Sequence, residues 1–387
     1  MTEKLYYEDS HLFDFTATVL KCEQDGEIWK TVLDRTAFFP EGGGQPGDRG
    51  VLGGVCVTDT HERGGEVIHY LSAPLAVGEK VSGSVDRELR LRRMQNHSGE
   101  HIFSGTAHRL FGCSNVGFHM GEDGMTLDFD REMDAGQILQ IETLANEAVR
   151  DNLPVKVWYP SPDELAALDY RSKKELEGAV RIVEIPGVDC CACCAPHVER
   201  TGEIGVIKVQ FFERHRGGIR LNLVCGMQAL EDYRIRQQSV AEISALLSAK
   251  RHEVTQAVQR ILQEKESMKE ENAALKMELI AFKAAQVPET EGNICLFESI
   301  PDEIAERELV NLLMEKCGGL AAVFFPTADG GFRYIIGSRS MDLRKEAKAI
   351  NIGIGGRGGG RPEMIQGSAG ESEESIRSFL LNYNHRL

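Results

Sequence analysis

Apolar positions from Leu12 to Val85 come in short runs, FDFTATVLKC, EIWKTVLD, GVCVTDTH and EVIHYL, separated by Gly, Asp and Pro. Runs of that length bounded by turn residues predict short strands, and a closed barrel is the economical way to leave them no bare edge. A glycine-rich stretch, FPEGGGQPGDRG (Phe39 to Gly50), interrupts them. Its consecutive glycines permit positive φ or a close backbone approach, and Gln45 offers a donor and an acceptor there; a plain long turn fits the glycine count equally well.

From Arg87 the period changes. The spacing predicts a helix to Phe111, a strand at MTLDFD, a second helix AGQILQIETLANEAVRDN ended by Pro154, and strands at VKVWYP, VRIVEI, EIGVIKVQFFERH and GIRLNLVCG. Helices and strands mixed in this way describe an α+β domain. Beyond Met227 the chain turns to Ala, Glu, Lys, Gln and Leu, with apolar residues at Leu247, Val254, Val258, Ile261, Met268, Leu275, Leu279 and Phe282. Steps of three, four and seven make a heptad seam with Lys265 and Asn272 at core positions, so one long helix to Gln286 is expected, packed on itself or on a second copy. Val287-Pro288 ends it. A final α/β domain follows, with a strand pair in AAVFFPTADGGFRYIIGSR, a helix near MDLRKEAKAI and the glycine run NIGIGGRGGGRPEMIQGSAG. The division expected is 1–86, 87–226, 227–286 and 287–387: an α+β multidomain protein with a small N-terminal β-barrel, an α+β domain, a long heptad helix and a C-terminal α/β domain.

Composition alters this picture in few places. At 387 residues, 42% hydrophobic and 27% charged, the chain has the make-up of a folded multidomain protein. The polar start MTEKLYYEDS has no apolar leader pattern and no run is long enough to span a bilayer, so the cytoplasm is the expected compartment and no membrane the expected partner. A formal charge of −16 opposes indiscriminate nucleic-acid binding while leaving room for local basic patches. Arg87, Arg90, Arg92 and Arg93 form one such patch, and Arg214, Arg216 and Arg220 another. Arg357 and Arg361, set among the late glycines, suggest a nest of amide donors for phosphates or carboxylates, without the Gly-Lys-Ser/Thr of a P-loop.

The chemistry gathers around QNHSGEH. His97 and His101, four apart on a helix, can turn two imidazoles to one ion. Cys193 and His197 in CCAPH lie in a loop between two strands and complete a three-histidine, one-cysteine tetrahedron, a donor set suited to Zn²⁺. Of the ten cysteines, four crowd into DCCACC, too close for a disulfide framework, so metal or redox chemistry is expected of them.

NHSGEH with CCAPHVERTGEIG, preceded by LDRTAFFPEGGGQPGDRG and followed by IGGRGGGRPEMIQG, resembles the editing half of alanyl-tRNA synthetases and the freestanding AlaX editing proteins, over nearly the whole chain. The resemblance implies the long form: a small β-barrel, a zinc editing domain shared with threonyl-tRNA synthetases, a helical connector and a DHHA1-type C-terminal domain. It implies one Zn²⁺ on His97, His101, Cys193 and His197, with Cys194 as the alternative thiolate by a one-residue slip; Pro196 stands before His197 where the synthetases usually have Thr. It places Gln45 at the substrate, and Gly117 and His119 of VGFHMG in the amino-acid pocket. The substrate implied is tRNA(Ala) wrongly charged with serine or glycine. Glu100 is a candidate general base, its alternative being plain surface charge. Arg92, Arg93, Arg357 and Arg361 are the candidate tRNA contacts, and a homodimer would form through the heptad helix or the C-terminal domain. The rivals are a non-catalytic zinc-stabilised tRNA-binding module, a deacylase for another mischarged tRNA, and a redox or metal sensor built on DCCACC. No Asp-His-His tripeptide supports a DHH phosphoesterase, and the chain lacks the class II motifs that aminoacylation needs.

Overall fold

A computed structural model describes residues 1–172, 179–299 and 302–383. The protein is a mixed α/β chain of several sheets in two compact units, Met1–Glu242 and Ile243–Leu387.

In the first unit six strands close a barrel in the order Asp14–Asp25, Ile28–Leu33, Glu66–Leu71, Val55–Arg63, Gly50–Leu52 and Lys80–Val85. Alternation sets its interior: Val67, His69 and Leu71 of one strand and Val81 and Val85 of another are buried while their neighbours are not. His69 is the polar exception inside. Its Nδ1–H donates to Thr31 O at 3.1 Å and its Nε2 accepts from Thr36 Oγ at 2.8 Å. Burial pushes this imidazole from its ordinary 6.5 down to about 4, so it stays neutral in the fold while the unfolded chain protonates first. Stability from this group is whole above pH 6.5 and falls as pH drops toward 4, by about 3 kcal/mol in all. Unfolding midpoints measured across that window should show the fall, and His69→Gln should flatten it.

Helix α1, Arg87–Phe111, leaves the barrel at Asp86, whose side chain caps it by accepting from Leu89 N, and stops at Gly112 in the left-handed region. It runs through the unit's second core. Met94, Ile102, Phe103 and Ala107 pack with helix α2, Ala135–Arg150, and with an antiparallel sheet ordered 207–215, 218–225, 125–129, 115–120. A second small sheet, Lys156–Trp158, Ile182–Ile185 and Asp189–Ala192, presents the cysteine loop to α1. A short helix α3 spans Pro162–Ala167.

The expected single helix from Met227 to Gln286 is two. Helix α4 covers Gly226–Leu246 and helix α5 Val254–Gln286, with Ser248 at φ 49° between them. The break is made by Ser248 in the left-handed region and by a 3-10 turn at Arg251–Glu253.

In the second unit the sheet order is Ile294–Phe297, Leu320–Pro326, Phe332–Ser338, Met364–Ala369, Gly356–Gly360, the first pair parallel and the others antiparallel. Strand 320–326 is buried on both faces. Ala321, Val323 and Phe325 meet α5 and helix α6, Glu303–Met314; Leu320, Ala322 and Phe324 meet helices α7, Leu343–Gly353, and α8, Glu373–Leu381. The late glycine run does not form the expected amide nest. Its residues 356–360 are an edge strand paired along one side to 364–369, and a Cβ at Gly358 would come within 2.3 Å of Tyr334 Oη.

Candidate metal centre

α1 brings His97 and His101 to one face, and the loop after strand Asp189–Ala192 brings Cys193 and His197 against them. One ligand atom from each lies within 4.8 Å of the others, and the three histidines are almost fully buried. Cys193 Sγ is 3.5 Å from His97 Nε2 and 3.4 Å from His197 Nε2. A tetrahedral zinc, with nitrogens at about 2.05 Å and sulfur at about 2.3 Å, requires nitrogen–sulfur separations of about 3.6 Å. The two separations on the Cys193 sulfur match that ion.

Each imidazole is also held from behind. His97 Nδ1 bonds Gln45 Oε1 at 3.0 Å, His101 Nδ1 bonds Asp189 Oδ2 at 2.9 Å, and His197 Nδ1 faces Ser98 Oγ at 3.0 Å. Fixing every Nδ1 outward leaves every Nε2 for the ion, the arrangement in which outer partners set the tautomer of metal ligands. Asp189 is itself gripped by Arg171 at 2.7 and 2.9 Å, and Arg181 Nη1 holds the ligand loop through Cys193 O and Ala195 O.

The electrostatics select one thiol. Burial opposes ionisation of Cys193, yet the imidazoles around it, His97 foremost and the hydrogen-bonded His101 beside it, hold it well below its ordinary value, as a thiolate. Burial pushes Cys190 and Cys191 up to about 11, and raises Cys194 as well. Burial lowers His197 to about 3, leaving it neutral. His101, against its burial, is held well above its ordinary value by Asp189 and Cys193, and a bound cation would take the place of that proton. Because reactivity follows thiolate character, a redox sensor built on the other cysteines has little support here.

The glycine loop closes over this cluster. Gly43 and Gly44 take φ of 60° and 82°, and a Cβ on Gly44 would collide with Phe118 at 2.6 Å, so the loop needs glycine both for its backbone and for its contact with that strand. Gln45 is wholly buried; its Oε1 holds His97, while its Nε2 has no hydrogen-bond partner. Buried donors are seldom left so, and an unpaired one beside a ligand cluster marks a place for a substrate oxygen.

The other expected residues divide. Glu100 is buried, against the surface-charge alternative: Oε1 accepts from Ser104 Oγ at 2.8 Å and Asn115 Nδ2 at 2.6 Å, and Oε2 lies 3.8 Å from His101 Nε2. Phe118 packs its ring on His97, at 4.9 Å between centroids. Gly117 and His119 flank it in strand Asn115–Met120 and therefore turn to the opposite face, where His119 is exposed; the structure does not bring His119 to the cluster. Arg92 is exposed, but Arg93 is buried and donates to Gly47 O at 2.7 Å, beside an Arg90–Asp48 ion pair. Arg93 is thus a strut for the glycine loop and is withdrawn as a tRNA contact. Arg357 and Arg361 are exposed. The ligand set forms with Cys193; Cys194 Sγ instead lies against the glycine loop, 3.7 and 3.5 Å from where Cβ atoms on Gly42 and Gly43 would stand. Asp189, Ser98 and Arg171 were not singled out from sequence, although Asp189 adjoins the cysteines and Ser98 follows His97.

The profile of the threonyl and alanyl tRNA synthetase second additional domain matches residues 180–232, which include Cys193 and His197, and that of class II (A) tRNA synthetases matches residues 2–89. Alanyl-tRNA editing protein AlaX-L of Pyrococcus horikoshii is 27% identical over 98% of both chains. Alanyl-tRNA editing protein Aarsd1 of Rattus norvegicus is 27% identical over 98% of this chain and 97% of its own. An alanine-tRNA ligase of Halorubrum lacusprofundi is 31% identical over 96% of this chain, which spans 42% of that ligase.

Proposed function

We propose that this chain, matched end to end by alanyl-tRNA editing proteins at 27% identity, is a trans-editing hydrolase that cleaves the ester of mischarged tRNA(Ala), serine before glycine. The observation that carries this reading is the unpaired Nε2 of the fully buried Gln45 beside a cluster of three imidazoles and one thiolate. One Zn²⁺ held by His97, His101, Cys193 and His197 would supply Lewis-acid polarisation and a lowered pKa for water. Gln45 then works with both ends: Oε1 keeps the His97 tautomer, and Nε2 donates to an oxygen of the aminoacyl group. Glu100, anchored through Oε1, accepts a proton at Oε2. Phe118 and the glycine loop shield the cluster from water. Arg92, Arg357 and Arg361 remain the candidate contacts for tRNA phosphates, and a second copy of the chain is the other partner.

Serine exceeds alanine by one hydroxyl. A pocket that hydrogen-bonds the hydroxyl can spare alanyl-tRNA, whereas an apolar one cannot. With His119 turned away, Gln45 Nε2 is the donor in place. Single-turnover release of labelled serine from seryl-tRNA(Ala), beside alanyl-tRNA(Ala), tests the reading: serine should leave at least ~100-fold faster, and Gln45→Ala should cut that ratio about tenfold or more. One observation favours a second reading. Four protein ligands make a closed set of the kind found in structural zinc sites. No release by zinc-loaded, folded protein would leave the zinc-stabilised tRNA-binding module.

A further inference from the structure

We infer that Glu100 anchors the α-ammonium of the aminoacyl group, so that the centre takes esters with a free amine and rejects the same acyl group without that charge. This role presupposes the deacylase reading; the substrate's ammonium is then the donor that Oε2 meets. Glu100 lies on α1 three residues after His97 and next to His101, and is 1% exposed. Its carboxylate is held from one end. Oε1 accepts from Ser104 Oγ at 2.8 Å and from Asn115 Nδ2 at 2.6 Å, and Asn115 also donates to Ser104 Oγ at 3.1 Å. Asn115 is fixed in turn, its Oδ1 accepting from Gly117 N at 3.0 Å in the strand that carries Phe118. With Oε1 so placed, Oε2 stands 3.8 Å from His101 Nε2, the nitrogen left for the ion.

The charges around the cluster favour an ammonium at that oxygen. Asp189 divides its oxygens between His101 and Arg171, and Gln45 Oε1 holds His97, so both serve the ligands from behind. Of these three acceptor side chains, Glu100 is the one with an oxygen on the inner side. A divalent ion with one thiolate leaves the centre positive, because Asp189 and Arg171 cancel. An aminoacyl ester brings a further positive charge, its α-amine being mostly protonated at neutral pH. Like charges brought together away from water repel strongly unless an anion stands by them, and a carboxylate meeting an ammonium there forms a charge-assisted hydrogen bond, about twice as strong as a neutral one. Gln45 Nε2 supplies the opposite polarity, a buried donor with no partner of its own. One donor and one carboxylate at a single centre match the polar features of a seryl ester, an oxygen to be held and an ammonium. An acyl group whose amine is missing or blocked would leave Glu100 buried against a neutral partner, and its ester would be spared.

Seryl-tRNA(Ala) treated with nitrous acid carries a hydroxyl in place of the amine, an acyl group of nearly the same size without the charge. Each single-turnover rate is divided by that ester's spontaneous hydrolysis in the same buffer. On this scale the zinc-loaded chain should release serine at least ~100-fold faster than the deaminated group, since a site built on a polar contact rejects the analogue that lacks it. Glu100→Gln, which puts an N–H where an acceptor stood, should keep the parent's zinc content and far-ultraviolet dichroism and lose at least about tenfold of that preference, the worth of one hydrogen bond to a charged group. Should that variant fail to fold, Asn115→Ala, which loosens the carboxylate at Oε1, carries the same prediction with a smaller loss. Equal scaled rates for the two esters in the wild type overturn the ammonium role and leave the deacylase reading standing. A variant that slows both esters alike makes Glu100 a base for water, one that loses zinc makes it a ligand of the ion, and either result overturns the proposal. No release of either ester removes the deacylase reading and this role with it.

Discussion

Cys193→Ala is expected to yield a folded chain that no longer retains zinc and releases serine from seryl-tRNA(Ala) at least ~100-fold more slowly, since disturbing even the outer partners of a metal site costs 10–100-fold. The argument rests on charge. Among the cysteines around the cluster Cys193 is the one held as a thiolate, and it stands 3.5 and 3.4 Å from two imidazole nitrogens. Removing it takes away the soft, anionic ligand and leaves three neutral donors competing with water. Neighbouring thiols pushed toward protonation are poor substitutes. Metal content by mass spectrometry, read with single-turnover release, separates the two roles of the site. Loss of zinc with loss of release supports catalysis at the cluster; a zinc-free variant that still releases serine at the parent rate would sink it. Asp189→Asn, acting through His101 alone, should fall between parent and Cys193→Ala in zinc affinity.

What was legible from sequence follows how local each signal is. α1, expected from about Arg87 to Phe111, forms there because Asp86 caps its start and a left-handed Gly112 its end. The clustering of His97, His101, Cys193 and His197 was legible because two short spacings, each set by local backbone geometry, carry them. Their supports were not, since Gln45, Asp189 and Ser98 reach the imidazoles from three different elements. The burial of Arg93 and of Glu100 was not legible for a related reason. A charge on a helix is ordinarily solvated, and what buries these two is a partner 45 residues back in one case, Asp48, and 15 residues on in the other, Asn115. The late glycines show a further limit: absence of side chains suits an anion nest and a crowded edge strand alike, and Tyr334 decides between them.

The buried pair behind the glycine loop should prove the most sensitive point of the fold. Arg90 is fully buried; its Nε donates to Asp48 Oδ2 at 2.8 Å, Nη1 to Ser10 O at 3.1 Å and Nη2 to Ala37 O and Asp48. Asp48 Oδ2 also accepts from Phe39 N at 2.7 Å, and Arg93 stands by its other oxygen. Asp48→Ala therefore strands a guanidinium away from water with its countercharge gone, a change that costs about 3–5 kcal/mol, more than the buried pair is worth against apolar replacements of similar volume. For a unit of this size, that lowers the melting temperature by on the order of 10 °C. The double variant Asp48→Leu, Arg90→Met should recover part of the loss, because the unpaired charge disappears with its partner; Ser10 O, Ala37 O and Phe39 N remain short of bonds and keep the recovery incomplete. Asp48 sits three residues after Gln45 on the same loop, so the double variant should also lose serine-over-alanine discrimination in proportion to how far that loop loosens. A loss below about 1 kcal/mol for Asp48→Ala would mean that water reaches Arg90, and that Gly44 packed on Phe118, rather than the ion pair, holds Gln45 against His97.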